Sequence, residues 1–305
     1  KVLDALDMPR FEFENELAYL VASQRFAWNS PVWFNVGTCA KPQTSACFIL
    51  SVEDSIESIA ENVKIEMTIF KHGSGAGSNR SALRSKYEPL SHGGHASGPL
   101  SFIRTYDAAA GSIKSGGKTR RAAKMEILNI DHLDVEEFIT HKRDEERKAK
   151  ILVAGGIDGS FCGEAYSTVS GQNANYSVRV TDDFMRSVEA DGPFVLQGSK
   201  HKELKVEVRA RKLWNTIADC AWECADPGIQ FDDEIQKWHT CKADGEINAT
   251  NPCCFPGHVL VDTAEGRLSF NDLHAMSEAG QKLPSVFAFD KPTNAPVLKP
   301  VKKIW

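Results

Sequence analysis

Long apolar runs, an excess of basic residues and a secretory signal are all missing from this sequence of 305 residues. No apolar run approaches the roughly 20 residues that a membrane-spanning helix needs, and the N-terminus does not have the pattern of a signal peptide. The formal net charge of −5 argues against a protein that coats nucleic acid, because such proteins carry a concentrated basic face. These absences predict a cytoplasmic protein with neither a membrane nor nucleic acid as its partner.

The eight cysteines include no Cys-x-x-Cys pair, which argues against a structural zinc site, and no metal centre is predicted. Their irregular spacing in a chain this long also argues against a disulfide scaffold. Cys220 and Cys224 lie one helical turn apart and are predicted to be buried structural cysteines. The chain also opens on Lys1 without an initiator methionine, which predicts a fragment.

Helical periodicity alternates with short apolar runs along most of the chain. Asp54 and Glu57 have the spacing of a capping box, which predicts that a helix begins there, and Gly73 ends it. The other predicted elements are helices at 13–27, 132–149 and 208–225 and strands at 46–52 and 229–231. The charged helix at 132–149 is interpreted as an exposed face without chemistry. The alternation predicts an α/β fold with a mainly parallel sheet or barrel.

Two glycine-rich segments are candidates for close contact with a ligand. In residues 73–79 the glycines would let the backbone approach a ligand or another strand closely. This segment follows a helix rather than a strand, so the context of a dinucleotide-binding loop is absent. The basic loop at 114–121 allows two interpretations, a contact with nucleotide phosphate or a solvated surface loop.

Asn251, Pro252 and Cys253 form a short motif that presents a thiol beside a polar side chain. Proline fixes φ, and asparagine can hydrogen-bond to a ligand hydroxyl, so the thiol would stand on a rigid tip. The whole run 238–253 resembles the approach to the catalytic finger loop of the ribonucleotide reductase large subunit, most closely the adenosylcobalamin-dependent class. Other segments match the same family in the same order, at 29–35, 46–48, 73–84, 112–125 and 170–173.

This resemblance covers roughly residues 10–253 and implies a ten-stranded α/β barrel over residues 1–253, incomplete here. It implies that Cys253 is the thiyl-radical cysteine that takes the 3′ hydrogen from a ribonucleotide. Asn251 would hydrogen-bond to the ribose hydroxyls, and Cys47 would be one of two thiols that reduce the 2′ position and end as a disulfide.

The resemblance also implies binding sites for the substrate and for an allosteric effector. Substrate contacts would come from Ser30, Ser45 and Ala46, with the turn at 45–47 near the substrate diphosphate. The implied contacts to a deoxynucleoside triphosphate effector are Asp54, Ser55, Arg84, Lys114, Ser115, Gly116, Gly117, Lys118 and Arg120. The cofactor would be adenosylcobalamin, the reductant a thioredoxin- or glutaredoxin-type protein, and the assembly a homodimer.

The sequence departs from the family immediately after Cys253. The family continues with a short residue and a glutamate that acts as general acid and base, whereas Cys254 and Phe255 follow here. That glutamate and the second reducing cysteine are not found among these residues, so the chain taken alone is not a complete reductase.

Residues 254–263 resemble the first block of an intein, and the strand-like runs after them follow the all-β Hint pattern. The resemblance implies that Cys254 is a nucleophile whose thiol attacks the carbonyl of Cys253 and forms a thioester. The chain would then divide into 1–253 and a truncated splicing segment, 254–305. The alternative is a vicinal cysteine pair in an ordinary loop.

Three hypotheses about function follow from the sequence. The first is a reductase barrel interrupted by the start of an intein. The second is a self-processing Hint protein for which the upstream part is merely a host. The third is a nucleotide-binding regulatory module without turnover, which retains only the effector site.

Overall fold

The computed structural model describes most of the chain up to Asn251 and four strands beyond it. The described residues are 9–38, 42–113, 123–160, 163–251, 260–263, 266–269, 276, 281, 285–290 and 295–300. Cys253, Cys254 and the predicted effector contacts from Lys114 to Arg120 lie outside them. Among the described residues, no helix is long and apolar enough to cross a membrane.

A five-stranded sheet dominates the described residues. All neighbouring strands in it are parallel, and their spatial order follows the chain, β1-β2-β3-β4-β7. The strands are β1 (Cys47–Leu50), β2 (Gly75–Asn79), β3 (Ala123–Asn129), β4 (Ala174–Val180) and β7 (Gly228–Phe231). This arrangement confirms the predicted α/β fold with a parallel sheet, and the predicted strands at 46–52 and 229–231 are β1 and β7.

In chain order the helices are α1 (Arg10–Ala22), α2 (Ser30–Asn35), α3 (Ile56–Lys71), α4 (Pro99–Ser112), α5 (Val135–Ala154), α6 (Glu164–Ser167), α7 (Asp182–Glu189), α8 (Ala210–Cys224) and α9 (Asp232–Trp238). Those from α3 to α8 lie in the crossovers between strands of the sheet, whereas α1 and α2 precede β1 and α9 follows β7. The antiparallel hairpin of β5 (Pro193–Gln197) and β6 (Lys205–Arg209) lies between α7 and α8. A short 3-10 turn, Lys242–Asp244, follows α9.

The two faces of the sheet have different neighbours, because successive side chains of a strand point to opposite faces. The outer face carries Tyr176 and Val178 of β4 into the main apolar cluster with α5, α7 and α8. Burying each such side chain contributes about 1.5–3 kcal/mol. The inner face carries Met125 and Ile127 of β3, which contact Ala249 instead of a helix.

A buried ionic cluster lies on the outer face, between β3 and the helices α3 and α4. Arg80 donates from Nη2 to Glu66 (2.8 Å) and from Nε to Glu126 (2.7 Å). Lys124 also bridges the two glutamates, bonding to Glu66 and lying 2.9 Å from Glu126. The Tyr106 ring contacts both cations, with Arg80 Cζ 3.8 Å and Lys124 Nζ 4.2 Å from its centroid.

Two positive and two negative side chains therefore balance inside this cluster, where none of the four is more than 2% exposed. Burial alone would raise the pKa of Glu126, but Arg80 and Lys124 outweigh burial and hold that pKa below its usual range. Burial raises the pKa of Tyr106 to about 12. The cluster ties α3 and α4 to the first residues of β3.

Several predicted details are wrong at helix ends. The N-cap of α3 is Ser55, whose hydroxyl accepts from Ser58 N at 3.2 Å, and not Asp54. Asp54 pairs instead with Arg84, which the local spacing could not reveal. The predicted helix at 13–27 is α1, which ends at Ala22.

Residues 29–31 form the beginning of α2. Asn29 Oδ1 accepts from Val32 N at 3.3 Å, and Pro31 occupies the first turn, where its missing N–H costs nothing.

The helix α5 is less exposed than its charge suggested. Glu145 is buried and accepts from Ser170 N at 2.9 Å, and Lys142 pairs with Asp226 at 2.5 Å. The prediction that this charged helix is simply an exposed face is therefore wrong for these two residues. The helix at 208–225 is confirmed as α8, and Cys220 is buried as predicted, whereas Cys224 is only partly buried.

A four-stranded antiparallel sheet, in the order β11-β10-β8-β9, lies in the last part of the chain. Its strands are β8 (Leu260–Thr263), β9 (Gly266–Ser269), β10 (Ser285–Asp290) and β11 (Ala295–Pro300). Its strands overlap the strand-like runs of the sequence, and the Hint assignment of residues 254–305 stays a prediction.

Replacing Lys124 by methionine tests the ionic cluster. The variant keeps the bulk of the side chain but leaves Glu66 and Glu126 with one cation between them, and removing one partner of a buried pair costs about 3–5 kcal/mol. We expect a loss of that size in the free energy of unfolding, measured by urea titration at pH 7. Because the folded pKa of Glu126 is lowered, this difference should shrink as the pH falls below 4.5, the ordinary glutamate value.

Lys64→Met is the matched control on the surface of α3. Lys64 lies 3.1 Å from Glu61, but its side chain is 73% exposed, so the loss should stay below about 1 kcal/mol. Equal losses for the two lysines would contradict the importance of the cluster.

Candidate active site

The tip segment, residues 247–251, crosses the inner face of the parallel sheet. Asn79 at the end of β2 donates to Asn248 O at 3.0 Å, and Gln230 Nε2 of β7 donates to Thr250 Oγ1 at 2.9 Å. Between these two bonds, Ala249 is fully buried against Met125 and Ile127. The segment is therefore held by three strands of the sheet.

The beginning of the tip segment is held by α9 and β4. Gln236 donates from Nε2 to Ile247 O at 2.7 Å and accepts from Ile247 N at 3.2 Å. Arg179 of β4 also donates to Ile247 O. These bonds occupy both backbone groups of Ile247, as a neighbouring strand would.

Two glycines of β2 make room for the tip segment. A Cβ on Gly77 would overlap the Thr250 carbonyl oxygen and stand 2.8 Å from the carbonyl carbon. A Cβ on Gly75 would stand 2.9 Å from Asn251 Nδ2 and 3.0 Å from Asn251 Oδ1. Residues 73–79 were predicted to approach either a ligand or another strand closely. In the structure they approach another part of the same chain, residues 250 and 251.

Cys47 and Asn251 meet at the same glycine. Cys47 is the register partner of Gly75 in the adjacent strand, and the Asn251 side chain lies against Gly75 on the inner face. Cys47 is exposed at the first position of β1. The structure thus brings together two of the three predicted catalytic residues, which are more than 200 positions apart in the sequence.

The predicted substrate turn is anchored at the start of β2. Ala46 O accepts from Gly75 N at 2.8 Å, and Ser45 O accepts from Ser74 Oγ at 2.6 Å. Asn35, at the end of α2, donates to Gln43 O at 2.8 Å. Ser30 is the first residue of α2, so this bond ties its helix to the segment just before the turn.

Of the predicted effector contacts, Asp54, Ser55 and Arg84 are described. Arg84 donates to Asp54 twice, from Nε at 2.5 Å and from its backbone N at 3.1 Å. The two side chains are 26% and 10% exposed, so the pair is open to solvent at one edge. Ser55 uses its hydroxyl to cap α3.

Four polar residues that hold the tip segment were missed from the sequence: Asn79, Arg179, Gln230 and Gln236. For Arg179 and Gln230 the signal is a polar residue between apolar neighbours in a strand, as in Ile229-Gln230-Phe231. In the part of the chain that the structure describes, no group of three or more His, Cys, Asp or Glu side chains could hold a metal ion.

Most of this chain matches a known protein family in sequence. The family model for the ribonucleotide reductase barrel domain matches residues 45–255. A vitamin B12-dependent ribonucleotide reductase of Streptomyces clavuligerus is 52% identical over 88% of this chain and 28% of its own length. The protein of the same name in Rhodopirellula baltica is 44% identical over 88% of this chain and 29% of its own length.

A vitamin B12-dependent ribonucleoside-diphosphate reductase of Thermoplasma acidophilum is 40% identical over 78% of this chain and 28% of its own length. The chain thus spans 28 to 29% of the length of these relatives.

A five-stranded parallel sheet with helical crossovers defines the class of the domain, an α/β fold. Within that class, the chain belongs to the ribonucleotide reductase barrel-domain family. The family match ends at residue 255, two residues after the Asn-Pro-Cys motif.

Gly77→Ala tests the close approach at β2. A methyl group cannot share the space of the Thr250 carbonyl oxygen, so the tip segment must move, and overpacking of this kind costs about 1–3 kcal/mol. We expect that loss in the free energy of unfolding, together with faster amide hydrogen exchange confined to residues 247–251.

Gly192→Ala is the control, because a Cβ there would meet only Ser187 O at 3.8 Å. It should change stability by less than about 0.5 kcal/mol. A Gly77→Ala protein that matches this control in stability and exchange would mean that the tip segment does not lie on β2.

Proposed function

We propose that this chain supplies the first half of the active site of an adenosylcobalamin-dependent ribonucleotide reductase, which converts ribonucleotides to 2′-deoxyribonucleotides. The family match and the names of the relatives support the reaction. The observation that carries the proposal is the meeting of Cys47 and Asn251 at Gly75. It puts a thiol beside an amide that can bind hydroxyls, at the tip that leads to Cys253.

The proposed chemistry divides the work between these residues. A thiyl radical on Cys253 takes the 3′ hydrogen of the ribose and becomes a thiol, and Asn251 hydrogen-bonds to the ribose hydroxyls. The 2′ hydroxyl then leaves as water after protonation. Cys47 and a second thiol supply two electrons and two protons and end as a disulfide. Cys253 finally returns its hydrogen to the 3′ carbon, so the radical is regenerated.

Substrate phosphates would bind at the turn from Ser45 to Cys47, with Ser30 nearby. The two hydrogen bonds that join this turn to β2 give it a fixed position relative to Asn251. A fixed turn suits this role, because the distance between the phosphate site and the radical site decides which ribose carbon meets Cys253.

An effector site for a deoxynucleoside triphosphate is proposed at Asp54, Ser55 and Arg84 together with the loop 114–122. Asp54 and Arg84 form a half-buried pair at the beginning of α3. The loop joins the end of α4 to the beginning of β3, and β3 contacts the tip segment through Met125 and Ile127. A change in the loop would therefore reach the strand beneath Ala249.

The cofactor is proposed from the relatives and not from a site in this chain. None of the steps above passes through the cofactor. When bound, adenosylcobalamin supplies the radical. The disulfide would be reduced again by a thioredoxin- or glutaredoxin-type protein, and a homodimer is the proposed assembly.

The test uses the full-length, uninterrupted protein and three cysteine variants. Ribonucleotide reduction should depend on added adenosylcobalamin and should be lost in Cys253→Ala and in Cys47→Ser, while Cys241→Ser, at an exposed cysteine without a proposed role, keeps it. Activity that persists in Cys253→Ala would refute the proposal. Binding of dATP or dTTP without turnover in the parent protein would favour the regulatory module instead.

A second function, self-processing, is proposed for residues 254–305. Two observations favour it: the family match ends at residue 255, and an antiparallel sheet follows in which β8 pairs with β9 and β10. In this proposal the Cys254 thiol attacks the Cys253 carbonyl and forms a thioester, which frees the amine of Cys254.

Dithiothreitol tests this second function in the 305-residue chain. Its thiolate would attack the thioester carbon and expel the Cys254 thiol, so mass spectrometry should find the two fragments 1–253 and 254–305. Cys254→Ala cannot form the thioester and should stay intact. An unchanged mass of the parent chain after long incubation would contradict an active Cys254.

A further inference from the structure

Gln230 links the tip segment to a buried ion pair. Its side chain is 8% exposed and lies on the inner face of β7. Nε2 donates to Thr250 Oγ1 at 2.9 Å, and Oε1 accepts from Arg179 Nη1 at 3.5 Å. Arg179 is itself held by Asp232, through Nε at 2.9 Å and Nη2 at 2.6 Å. Asp232, Arg179, Gln230 and Thr250 thus form a continuous chain of hydrogen bonds.

The donors and acceptors in this series of hydrogen bonds are fixed by the chemical groups involved. A guanidinium group can only donate hydrogen bonds, so the Gln230 amide must turn its oxygen toward Arg179. Its NH₂ group then faces Thr250, whose hydroxyl oxygen accepts. Only one of the two orientations of the amide satisfies both neighbours, so Arg179 orients Gln230.

Thr250 is consequently held at two points. Its carbonyl oxygen occupies the space that Gly77 leaves open, and its hydroxyl is bonded to Gln230. With the main chain and the side chain both held, the residue cannot rotate about its backbone. The direction in which the chain continues to Asn251 is therefore defined at Thr250.

Packing alone does not account for a glutamine at this position. Ala249 already fills the apolar contact with Met125 and Ile127 beside it. An apolar residue at position 230 could be buried equally well, without the cost of removing an amide from water. A fully bonded polar network, in contrast, specifies a single arrangement of its side chains.

We infer that Gln230, oriented by Arg179, is a positioning residue for the tip segment: through Thr250 it directs Asn251 and Cys253 toward the ribose without contacting the substrate. The inference rests on the proposed function for the part that concerns the ribose. The position of the tip segment does not depend on that function, and amide hydrogen exchange tests it separately.

The test is a double-mutant cycle with variants that keep side-chain volume: Gln230→Met, Thr250→Val and the two combined. In the full-length, uninterrupted reductase, each single variant should lower kcat roughly 10- to 100-fold, because a displacement of about 1 Å costs that much in rate. The double variant should lose no more than one single variant. The kinetic isotope effect on kcat with a 3′-deuterated ribonucleotide should rise, since breaking the C–H bond becomes the slowest step.

Gln197→Met is the matched control, because Gln197 on β5 makes a similar side-chain bond to Asp131 at 2.8 Å, away from the tip segment. It should leave kcat and the isotope effect unchanged. Additive losses in the double variant, or an unchanged isotope effect in Gln230→Met, would overturn the inference. Thr250→Val carries the test alone if Gln230→Met does not fold.

Amide hydrogen exchange on the 305-residue chain separates this inference from the proposed function. Gln230→Met and Thr250→Val should each speed exchange in residues 247–251 and leave β3 and β4 unchanged. Unchanged exchange in 247–251 would overturn the inference whatever the activity. A parent enzyme that fails to reduce ribonucleotides, with exchange altered as expected, would count against the proposed function alone.

Discussion

The site depends on one close approach between two backbones. The carbonyl oxygen of Thr250 lies where any side chain on Gly77 would have to be, and the Asn251 side chain lies against Gly75. Glycine at two positions of one face of β2 lets a returning segment approach the sheet at backbone distance. The end of the tip segment therefore lies directly on the strand that also pairs with Cys47.

The opposite face of the same strands is made rigid by charge. Arg80, Lys124, Glu66 and Glu126 neutralise one another behind β2 and β3, with the Tyr106 ring against both cations. Such a network is costly to bury and tolerates few arrangements. The strands β2 and β3 thus carry ion pairs on the outer face, and glycine and apolar side chains contact the tip segment on the inner face.

Local patterns in the sequence predicted much of the fold but few of the partners. β1, β7 and α8 follow from apolar runs and helical spacing, and the strands beyond residue 259 follow from alternation and turn residues. The buried face of α3 was harder, because Asn62 and Glu66 lie inside it while Ile56 is 66% exposed. Polar residues turn inward there to meet Arg80 and Lys124, which come from other elements.

The site itself was predicted in outline through resemblance and corrected in detail by the structure. Cys47 and Asn251 do meet, and the glycines of residues 73–79 do allow a close approach. Asp54 could not be placed from local spacing, because its partner Arg84 is 30 positions away. Gln230 and Arg179 were missed for the same reason. The roles of Cys47, Asn251, Cys253, Cys254 and the loop 114–122 all stay predictions, as do those of the substrate and effector contacts.

The order of the parallel strands has a consequence for synthesis on the ribosome. In the order β1-β2-β3-β4-β7, each strand is hydrogen-bonded to the preceding strand of the same sheet. The strand with which each new strand pairs has therefore already been made. Growth of the sheet needs no strand to wait for a distant partner, and domains generally fold as they are translated. The tip segment follows β7 in the chain, so it is made after all the strands that hold it.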